Sequence, residues 1–248
     1  MNPPPPATSA FRAFPQFNSA PLARLARVRA RLSEHAGDLF PSSRPADRLA
    51  RELALSKSIS LKELLESFEF FTRVRRRLRA PDMADLCCGH GLTGILFAAF
   101  EEAVHHVVLL DREHPQAADR LLRAATEVCP WIAGKIERVT AKVDRAADLL
   151  EPGTSVLAVH ACGARTDRCI DVAIEVGGPI AAMPCCYRYT ARMAPRALRK
   201  GLGADLASDV ARTYRLEQAG YEVDWSTIPL AVSPKIRIII ARPPATRV

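Results

Sequence analysis

Apolar residues recur in two patterns along the chain from residue 81 onward. Short runs rich in valine, isoleucine and leucine predict strands, and longer stretches with an apolar residue every three or four positions predict helices. The predicted strands cover residues 83–87, 104–111, 136–143, 155–161, 179–183, 222–228 and 235–241. The predicted helices between them cover residues 92–100, 115–128, 145–150, 166–175 and 205–219.

This alternation of strands and helices is typical of a parallel sheet that is covered by helices on both faces. Only a short segment containing Pro229 and Pro234 joins the last two strands. It is too short for a crossover helix, so these two strands should run antiparallel. The predicted fold class is α/β, with a Rossmann-like, seven-stranded, mostly parallel sheet and an antiparallel last strand, preceded by an N-terminal helical extension.

The first 80 residues show a different pattern. Six prolines among residues 1–21 predict a flexible tail. The helices predicted after it cover residues 22–35, 47–55 and 61–80, and the capping-box sequence Ser60-Leu61-Lys62-Glu63 marks the start of the third. We therefore predict a Pro-rich flexible tail (1–21), a basic helical extension (22–80) and a larger domain (81–248).

Positive charge is concentrated in this N-terminal third. The chain has 35 lysines and arginines and 27 acidic residues, a net charge of +8, and residues 1–80 alone hold 15 of the basic residues and 7 of the acidic ones. Arginines cluster at the end of the third predicted helix, at positions 73, 75, 76, 77 and 79. Such a surplus indicates a polyanionic partner, most simply a nucleic acid, although a solvated, arginine-rich helix face is the alternative.

The remaining composition narrows the class of protein. Hydrophobic residues make up 48% of the chain, but no apolar run reaches the roughly eighteen residues of a membrane span, so no membrane association is expected. The seven cysteines do not form the spaced framework of a small secreted domain. We therefore expect a cytoplasmic protein.

A glycine-rich segment, DLCCGHGLTG at residues 85–94, joins the first predicted strand of the larger domain to its first helix. Glycines there allow backbone N–H groups to approach a ligand, and a helix N-terminus favours anionic groups. The segment matches the dinucleotide fingerprint, and Asp111 ends the next strand about twenty residues later, which keeps an NAD(P)-dependent oxidoreductase open. Asp85 favours a different ligand, because a carboxylate there would crowd a pyrophosphate but suits the cationic end of a zwitterionic, sulfonium-bearing cofactor.

Together, the acid before the glycine loop, the acid ending strand two and the closing strand pair resemble the class I S-adenosylmethionine-dependent methyltransferases. The resemblance implies that residues 81–248 use S-adenosylmethionine as their cofactor. By this resemblance Asp111 binds the ribose hydroxyls, Asp144 binds the adenine amino group, and Asp85 lies at the methionine end with the first two glycines. The predicted cofactor-binding residues are Asp85, Cys87, Gly89, His90, Gly91, Asp111 and Asp144.

Two further motifs follow the fourth and fifth predicted strands: HACGARTD at residues 160–167 and PCCY at residues 184–187. They resemble a narrower subgroup, which includes the eukaryotic tRNA 2′-O-methyltransferases of the acceptor stem and the glutathione S-transferase C-terminal domain-containing proteins. This resemblance covers about residues 55–243. The tRNA enzymes carry N-terminal zinc-binding modules, whereas residues 1–80 here contain no cysteine, so the resemblance alone does not imply an RNA substrate.

Cysteines and histidines cluster at the ends of the first, fourth and fifth predicted strands. In a sheet of this class those strands are neighbours, and their carboxyl ends form the edge at which ligands bind. The residues expected to meet at this edge are Cys87, Cys88, His90, His160, Cys162, Cys185 and Cys186.

Four interpretations of this cluster stay open. The cysteines could pack as small apolar residues around the cofactor, or some could bind zinc. A cysteine could attack C6 of a pyrimidine to activate C5 for methylation, or His160 or Asp167 could accept a proton from a hydroxyl acceptor. Against zinc, adjacent cysteines on an extended strand, such as Cys185 and Cys186, point to opposite faces, and we predict no metal ligands.

The predicted function is an enzyme, an S-adenosylmethionine-dependent methyltransferase, with RNA (tRNA or rRNA) as the favoured acceptor, bound through basic residues 22–80. The candidate catalytic residues are His160, Cys162, Asp167, Cys185 and Cys186. The candidate substrate contacts are Tyr187, Arg73, Arg76 and Arg77. The alternatives are methyl transfer to a small molecule or a protein, an NAD(P)-dependent oxidoreductase, and a non-catalytic nucleic-acid-binding module on the same fold.

Overall fold

In the computed structural model, which describes residues 9–28, 32–187 and 194–244, seven strands form one sheet. The strands are β1 Asp82–Leu86, β2 His106–Asp111, β3 Ile136–Thr140, β4 Ser155–Val159, β5 Ile180–Met183, β6 Glu222–Thr227 and β7 Arg237–Arg242. Their order is β3-β2-β1-β4-β5-β7-β6, and every pair is parallel except the two that β7 forms with β5 and β6. The predicted fold class is therefore confirmed, including the antiparallel last strand.

Eight α-helices lie within the described ranges. They are α1 Ala20–Leu25, α2 Pro45–Leu55, α3 Leu61–Val74, α4 Leu92–Phe100, α5 Gln116–Val128, α6 Ala164–Val176, α7 Arg196–Leu202 and α8 Ala204–Gln218. Of these helices in the described part of the chain, none combines the length and the apolarity needed to cross a bilayer.

Four stretches differ from the helices that the sequence pattern predicts. Of the helix predicted over residues 22–35, only the start forms, as part of α1, and the N–H of Leu32 donates to the carbonyl of Ile59 at 2.8 Å instead of to a helical partner. The helix predicted over residues 61–80 ends at Val74, as α3. The helix predicted over residues 145–150 is replaced by two short 3₁₀ turns within residues 143–149. Helix α7 is not indicated by any apolar period, since none of its residues is buried.

The sheet separates two apolar cores. Neighbouring strand residues alternate between them, so that Met83 and Leu109 belong to one core whereas Ala84 and Leu110 belong to the other. Helices α2 to α5 cover the first core, and helices α6 and α8 cover the second. Because α3 packs on α4, the predicted helical extension shares the first core with the sheet and can contribute side chains to the sheet edge.

Residues 9–21 are not a flexible tail in the structure. Phe14 is fully buried, with its ring centroid 4.8 Å from that of Phe40. The buried carboxylate of Glu69 accepts two backbone N–H hydrogen bonds from this segment. Aromatic burial and a buried acceptor therefore order a segment that its composition alone would leave loose. Residues 1–8, with four of the six prolines, lie outside the described residues.

Candidate active site

The glycine loop leaves β1 through a tight turn. Cys87 has a φ of 56°, and Gly91 has a φ of 81° directly before helix α4. A Cβ atom at Gly91 would lie 2.8 Å from Cδ1 of Leu109, so only glycine fits there, whereas a Cβ atom at Gly89 would meet nothing within 4 Å. The loop therefore leaves open space beside Gly89 at the carboxyl edge of the sheet, where a ligand can approach the backbone.

Two acids hold this loop in place. Through one oxygen each, Asp85 accepts a 2.9 Å hydrogen bond from the N–H of Gly94, and Asp111 accepts one of 2.9 Å from the N–H of Gly89. Burial raises the pKa of Asp85 to about 7; the Gly94 bond opposes this rise, and the charge of Asp111 adds to it. Asp85 is therefore poised to ionise near neutral pH, which a cationic ligand would favour.

A pocket of about 180 Å³ opens beside the loop. It is lined by Cys87, Asp111 and Asp144, three of the residues predicted to contact the cofactor, together with the exposed Arg165. Asp144 also forms an ion pair of 3.1 Å with Arg168. The predicted ribose and adenine contacts thus share one pocket, next to the loop that Asp85 and Asp111 hold.

The remaining loop residues diverge. Cys87 packs against the second core, and its hydrogen bond with the Cys169 thiol lowers its pKa, whereas Cys88 packs against the first core. Burial lowers the pKa of His90, so its ring is neutral and Nδ1 accepts the N–H of Leu92 at 3.3 Å. Cys87 and Cys88, the first adjacent pair of the predicted edge cluster, therefore point to opposite sides of the sheet.

A larger cavity, of about 690 Å³, lies between the start of α3, the end of β4 and the β6–β7 connection. His160 lines it directly after β4, with a φ of 58° that residues other than glycine rarely adopt. The Nε2 atom of His160 is 3.0 Å from Oε2 of Glu66, a buried carboxylate of α3. Lys62 contacts the other oxygen of Glu66 at 2.5 Å.

Glu66 is ionised in this arrangement. Burial disfavours its charged form, but the contacts with His160 and Lys62 outweigh burial and lower the pKa of Glu66 below its ordinary value. An ionised carboxylate only accepts hydrogen bonds, so His160 donates to it through Nε2–H. In the neutral imidazole, Nδ1 is then the nitrogen that can take up a proton. The pair is chemically suited to accept a proton at the wall of the larger cavity.

No motif of the sequence indicates Glu66. Its ion pair with Lys62, four residues earlier, is an ordinary helix pair, and its other partner, His160, is 94 residues away along the chain. The one sequence signal that could have found it is an acidic residue among the buried positions of an amphipathic helix.

Three of the predicted cysteines come together at the ends of β4 and β5. The Sγ atoms of Cys162 and Cys185 are 2.9 Å apart, and those of Cys185 and Cys186 are 3.8 Å apart. The expectation that Cys185 and Cys186 point to opposite faces is wrong, because β5 ends at Met183 and the pair lies in the loop that follows. Burial raises the pKa of both Cys162 and Cys185, so neither thiol is activated as a nucleophile in this state.

Two other candidate residues are held by partners on α8. Asp167 is buried and accepts two hydrogen bonds from the guanidinium of Arg212, at 3.0 and 3.3 Å, so both of its carboxylate oxygens are engaged by a structural partner. Tyr187 is only 5% exposed, and its hydroxyl donates to Asp209 at 2.9 Å. Its ring is therefore not presented for stacking on a base, and the predicted roles of Asp167 and Tyr187 are corrected accordingly.

The predicted substrate arginines differ from one another: Arg73 lies in α3, whereas Arg76 and Arg77 follow its end at Val74. Arg73 is buried and forms an ion pair with Glu69, so the prediction that it contacts the substrate is wrong. Arg77 lies 3.2 Å from Asp224, whose charge it offsets. Arg76 is exposed. Of the three, Arg76 is thus the one whose charge is best placed for a partner in solution.

A family model for a methyltransferase domain matches residues 58–192 of the chain. The match begins just before α3, so it includes Glu66 as well as the glycine loop and the cysteines after β4 and β5. No curated protein matches the chain.

Solved structures of methyltransferases resemble the chain in fold. An rRNA methylase from Streptococcus thermophilus is 11% identical, with a TM-score of 0.46 over 71% of this chain and 92% of the methylase. Precorrin-6y C5,15-methyltransferase from Geobacter metallireducens is 18% identical, with a TM-score of 0.46 over 71% of this chain and 88% of that enzyme. By their names, these two proteins act on different substrates.

Proposed function

The chain belongs to the methyltransferase domain family, and we propose that it transfers a methyl group from S-adenosylmethionine to a hydroxyl group of RNA. Membership of the family makes it a methyltransferase, and the donor and the acceptor are the proposed parts. The donor is supported by one observation above all: Asp85 and Asp111 each bind the backbone of the glycine loop, at Gly94 and Gly89.

The residues present fit this donor. The buried Asp85 supplies a negative charge for the cationic methionine end, and the vicinal hydroxyls of a ribose need an acceptor with two oxygens, such as Asp111. The absence of a side chain at Gly89 leaves the space that the ligand requires. Asp144, in the same pocket as Asp111, would hold the adenine amino group. When bound, S-adenosylmethionine supplies the electrophilic methyl group.

We assign proton acceptance to His160. β1 and β4 are paired neighbours in the sheet, with Asp85 opposite Leu157, so His160 leaves the sheet beside the glycine loop. The charge of Glu66 orients the ring and stabilises the imidazolium that forms when Nδ1 takes the proton of the acceptor hydroxyl. Positioning of the reactants supplies most of the rate acceleration in an in-line displacement. His160 adds the part of the acceleration that comes from proton transfer.

Calorimetry with S-adenosylhomocysteine and with NADH tests the donor. We expect S-adenosylhomocysteine to bind the full chain with a Kd between about 1 μM and 1 mM, the usual range for enzyme substrates. NADH should give no saturable heat, because the carboxylate of Asp85 disfavours a pyrophosphate at the glycine loop. Comparable binding of NADH would contradict the proposal and support an oxidoreductase.

The support for RNA comes from two features of the sequence. The HACGARTD and PCCY motifs resemble those of the tRNA 2′-O-methyltransferases, and the chain carries a net charge of +8. A ribose hydroxyl is also an acceptor that must lose a proton, which the pair of His160 and Glu66 suits. The arginines in the last turn of α3 and just after it support an RNA acceptor less than their number suggests, since Arg73 and Arg77 are paired with acids.

Labelled methyl groups identify the acceptor. We expect tritium from S-adenosylmethionine to enter the RNA fraction of a lysate, and the logarithm of the RNA affinity to fall linearly with the logarithm of the salt concentration. Replacing Arg76 with alanine should reduce the slope by about one, whereas the same change at Arg123, an exposed arginine of α5, serves as the control. Label confined to protein or small molecules would replace RNA as the acceptor, and label in no fraction would indicate a non-catalytic module.

A further inference from the structure

The sulfur atoms of Cys162, Cys185 and Cys186 all lie within 4.8 Å of one another. Thiolates that bind zinc tetrahedrally at about 2.3 Å are separated by about 3.8 Å, and the Sγ atoms of Cys185 and Cys186 are 3.8 Å apart. Those of Cys162 and Cys185 are closer, at 2.9 Å, and would separate around an ion. We propose that these three cysteines bind a thiophilic divalent metal ion, and that zinc is the ion their chemistry favours.

Backbone hydrogen bonds join the loop after β4, which holds Cys162, to the loop after β5, which holds Cys185 and Cys186. These bonds do not involve the sulfur atoms. The N–H of His160 donates to the carbonyl of Met183 at 3.2 Å, and the N–H of Gly163 donates to the carbonyl of Cys186 at 3.3 Å. Cys162 lies between these two bonds. Because paired strands and backbone bonds already set the position of the ligands, an ion would need to order little of the chain on binding.

The exposure of the three cysteines argues against a role as apolar filling. Cysteines that only fill space are among the most buried residues, as Cys129 and Cys169 are in this protein. By contrast, Cys162 and Cys185 are partly exposed and Cys186 is exposed. A disulfide between Cys162 and Cys185 would require a separation of about 2.05 Å and would leave Cys186 unused, whereas a metal ion engages all three sulfurs.

The closeness of the three sulfur atoms agrees with a site that needs a cation. Three thiolates so close together would repel one another, and a divalent ion supplies the compensating charge and displaces the thiol protons. Binding should therefore release protons and weaken toward acidic pH.

The fourth coordination position would be open to the larger cavity. Within the described ranges, no further histidine, cysteine or acid has a ligand atom in this group. Zinc held by three protein ligands, with the fourth position left for solvent or substrate, is typical of catalytic sites rather than structural ones. Cys185 and Cys186 line the same cavity as Glu66 and His160, so an acceptor oxygen there could reach the ion. The metal site itself does not depend on the proposed methyl transfer.

Metal analysis of the full chain, purified from unsupplemented medium without chelators or affinity metals, tests the site. We expect inductively coupled plasma mass spectrometry to find about one zinc ion per chain. The double variant Cys162→Ser, Cys185→Ser should bind less than about a tenth of that amount, because one thiolate remains. Cys129→Ala, which removes a buried cysteine at the end of α5, is the matched control and should keep the ion.

Cobalt substitution gives a second readout that does not depend on zinc content. Cobalt added to the metal-free chain should produce the intense near-ultraviolet absorption of thiolate-to-metal charge transfer, and the double variant should lose it while keeping its circular dichroism spectrum. The proposal is overturned if the folded wild-type chain binds neither metal, or if the double variant binds them as well as the wild type. It is equally overturned if the intact mass of the metal-free chain shows a disulfide that Cys162→Ser removes.

Discussion

Replacing His160 with asparagine is expected to lower kcat for methyl transfer by about 10²- to 10⁴-fold, the range usual for loss of a general base. Asparagine tolerates the left-handed conformation that His160 adopts at a φ of 58°, so the backbone after β4 should keep its course. The Kd for S-adenosylhomocysteine should stay within about twofold of the wild-type value, because His160 lines the larger cavity and not the cofactor pocket. Single-turnover kinetics and calorimetry measure the two quantities separately.

Companion variants separate proton transfer from packing. Glu66→Gln keeps the shape of the side chain but removes its charge, so a smaller loss of kcat, about tenfold, is expected. Added imidazole should restore part of the rate to the His160→Asn variant. Asp167→Asn should cost about 1–3 kcal/mol of stability, because the buried Arg212 loses the charge of Asp167 and keeps only that of Asp209, yet the folded fraction should keep its kcat. Full activity of His160→Asn, or an equal loss for Asp167→Asn, would refute the assignment.

Replacing Asp85 with asparagine is expected to weaken cofactor binding and to stabilise the ligand-free protein at pH 8. Removing one partner of a buried charge pair costs about 2 kcal/mol or more, which corresponds to a rise in Kd of about thirtyfold or more. Asparagine can still accept the N–H of Gly94 but cannot ionise. Calorimetry with S-adenosylmethionine and thermal unfolding of the ligand-free chain measure the two effects.

The sign of the pH effect follows from the raised pKa of Asp85. Its pKa is about 7 in the folded protein and 3.8 ordinarily, so the folded state binds this proton more tightly than the unfolded chain does. Asp85 therefore costs stability progressively as pH rises from about 4 to about 7, and the full cost persists above that range. The gain in melting temperature on Asp85→Asn should consequently be larger at pH 8 than at pH 5.

The affinity of the wild-type chain for the cofactor should rise with pH, whereas the stability of the ligand-free chain falls. Below pH 7, binding of the cationic ligand must first remove the proton of Asp85, so Kd should rise about tenfold for each pH unit lost. The Asp85→Asn variant should lack this dependence. Affinity that is independent of pH in both proteins, or a variant that melts lower at pH 8, would show that Asp85 is not the buried anion of this site.

Helix α3 changes the meaning of the basic N-terminal third. The arginines in its last turn and just after it predicted a surface for a polyanion, but Arg73 is buried against Glu69, and Arg77 is paired with Asp224. The helix instead contributes an acidic side chain to the larger cavity, where Glu66 contacts His160. The helix is therefore part of the candidate active site.

The sequence alone determined the features that depend on neighbouring residues. Apolar periodicity placed all seven strands, because the five inner strands are buried and need apolar side chains along their own length, and the two edge strands are half-covered. The glycine loop with Asp85 and Asp111 could also be identified, since the turn requires glycine at Gly91 and strand ends position both acids. Only the tertiary structure decided the partners of individual side chains, namely Glu66 for His160 and Arg212 for Asp167. It also decided that Cys185 and Cys186 lie in one loop, with their sulfur atoms close together. These contacts join segments far apart in the chain, or depend on where a strand ends, and packing of the whole fold selects them.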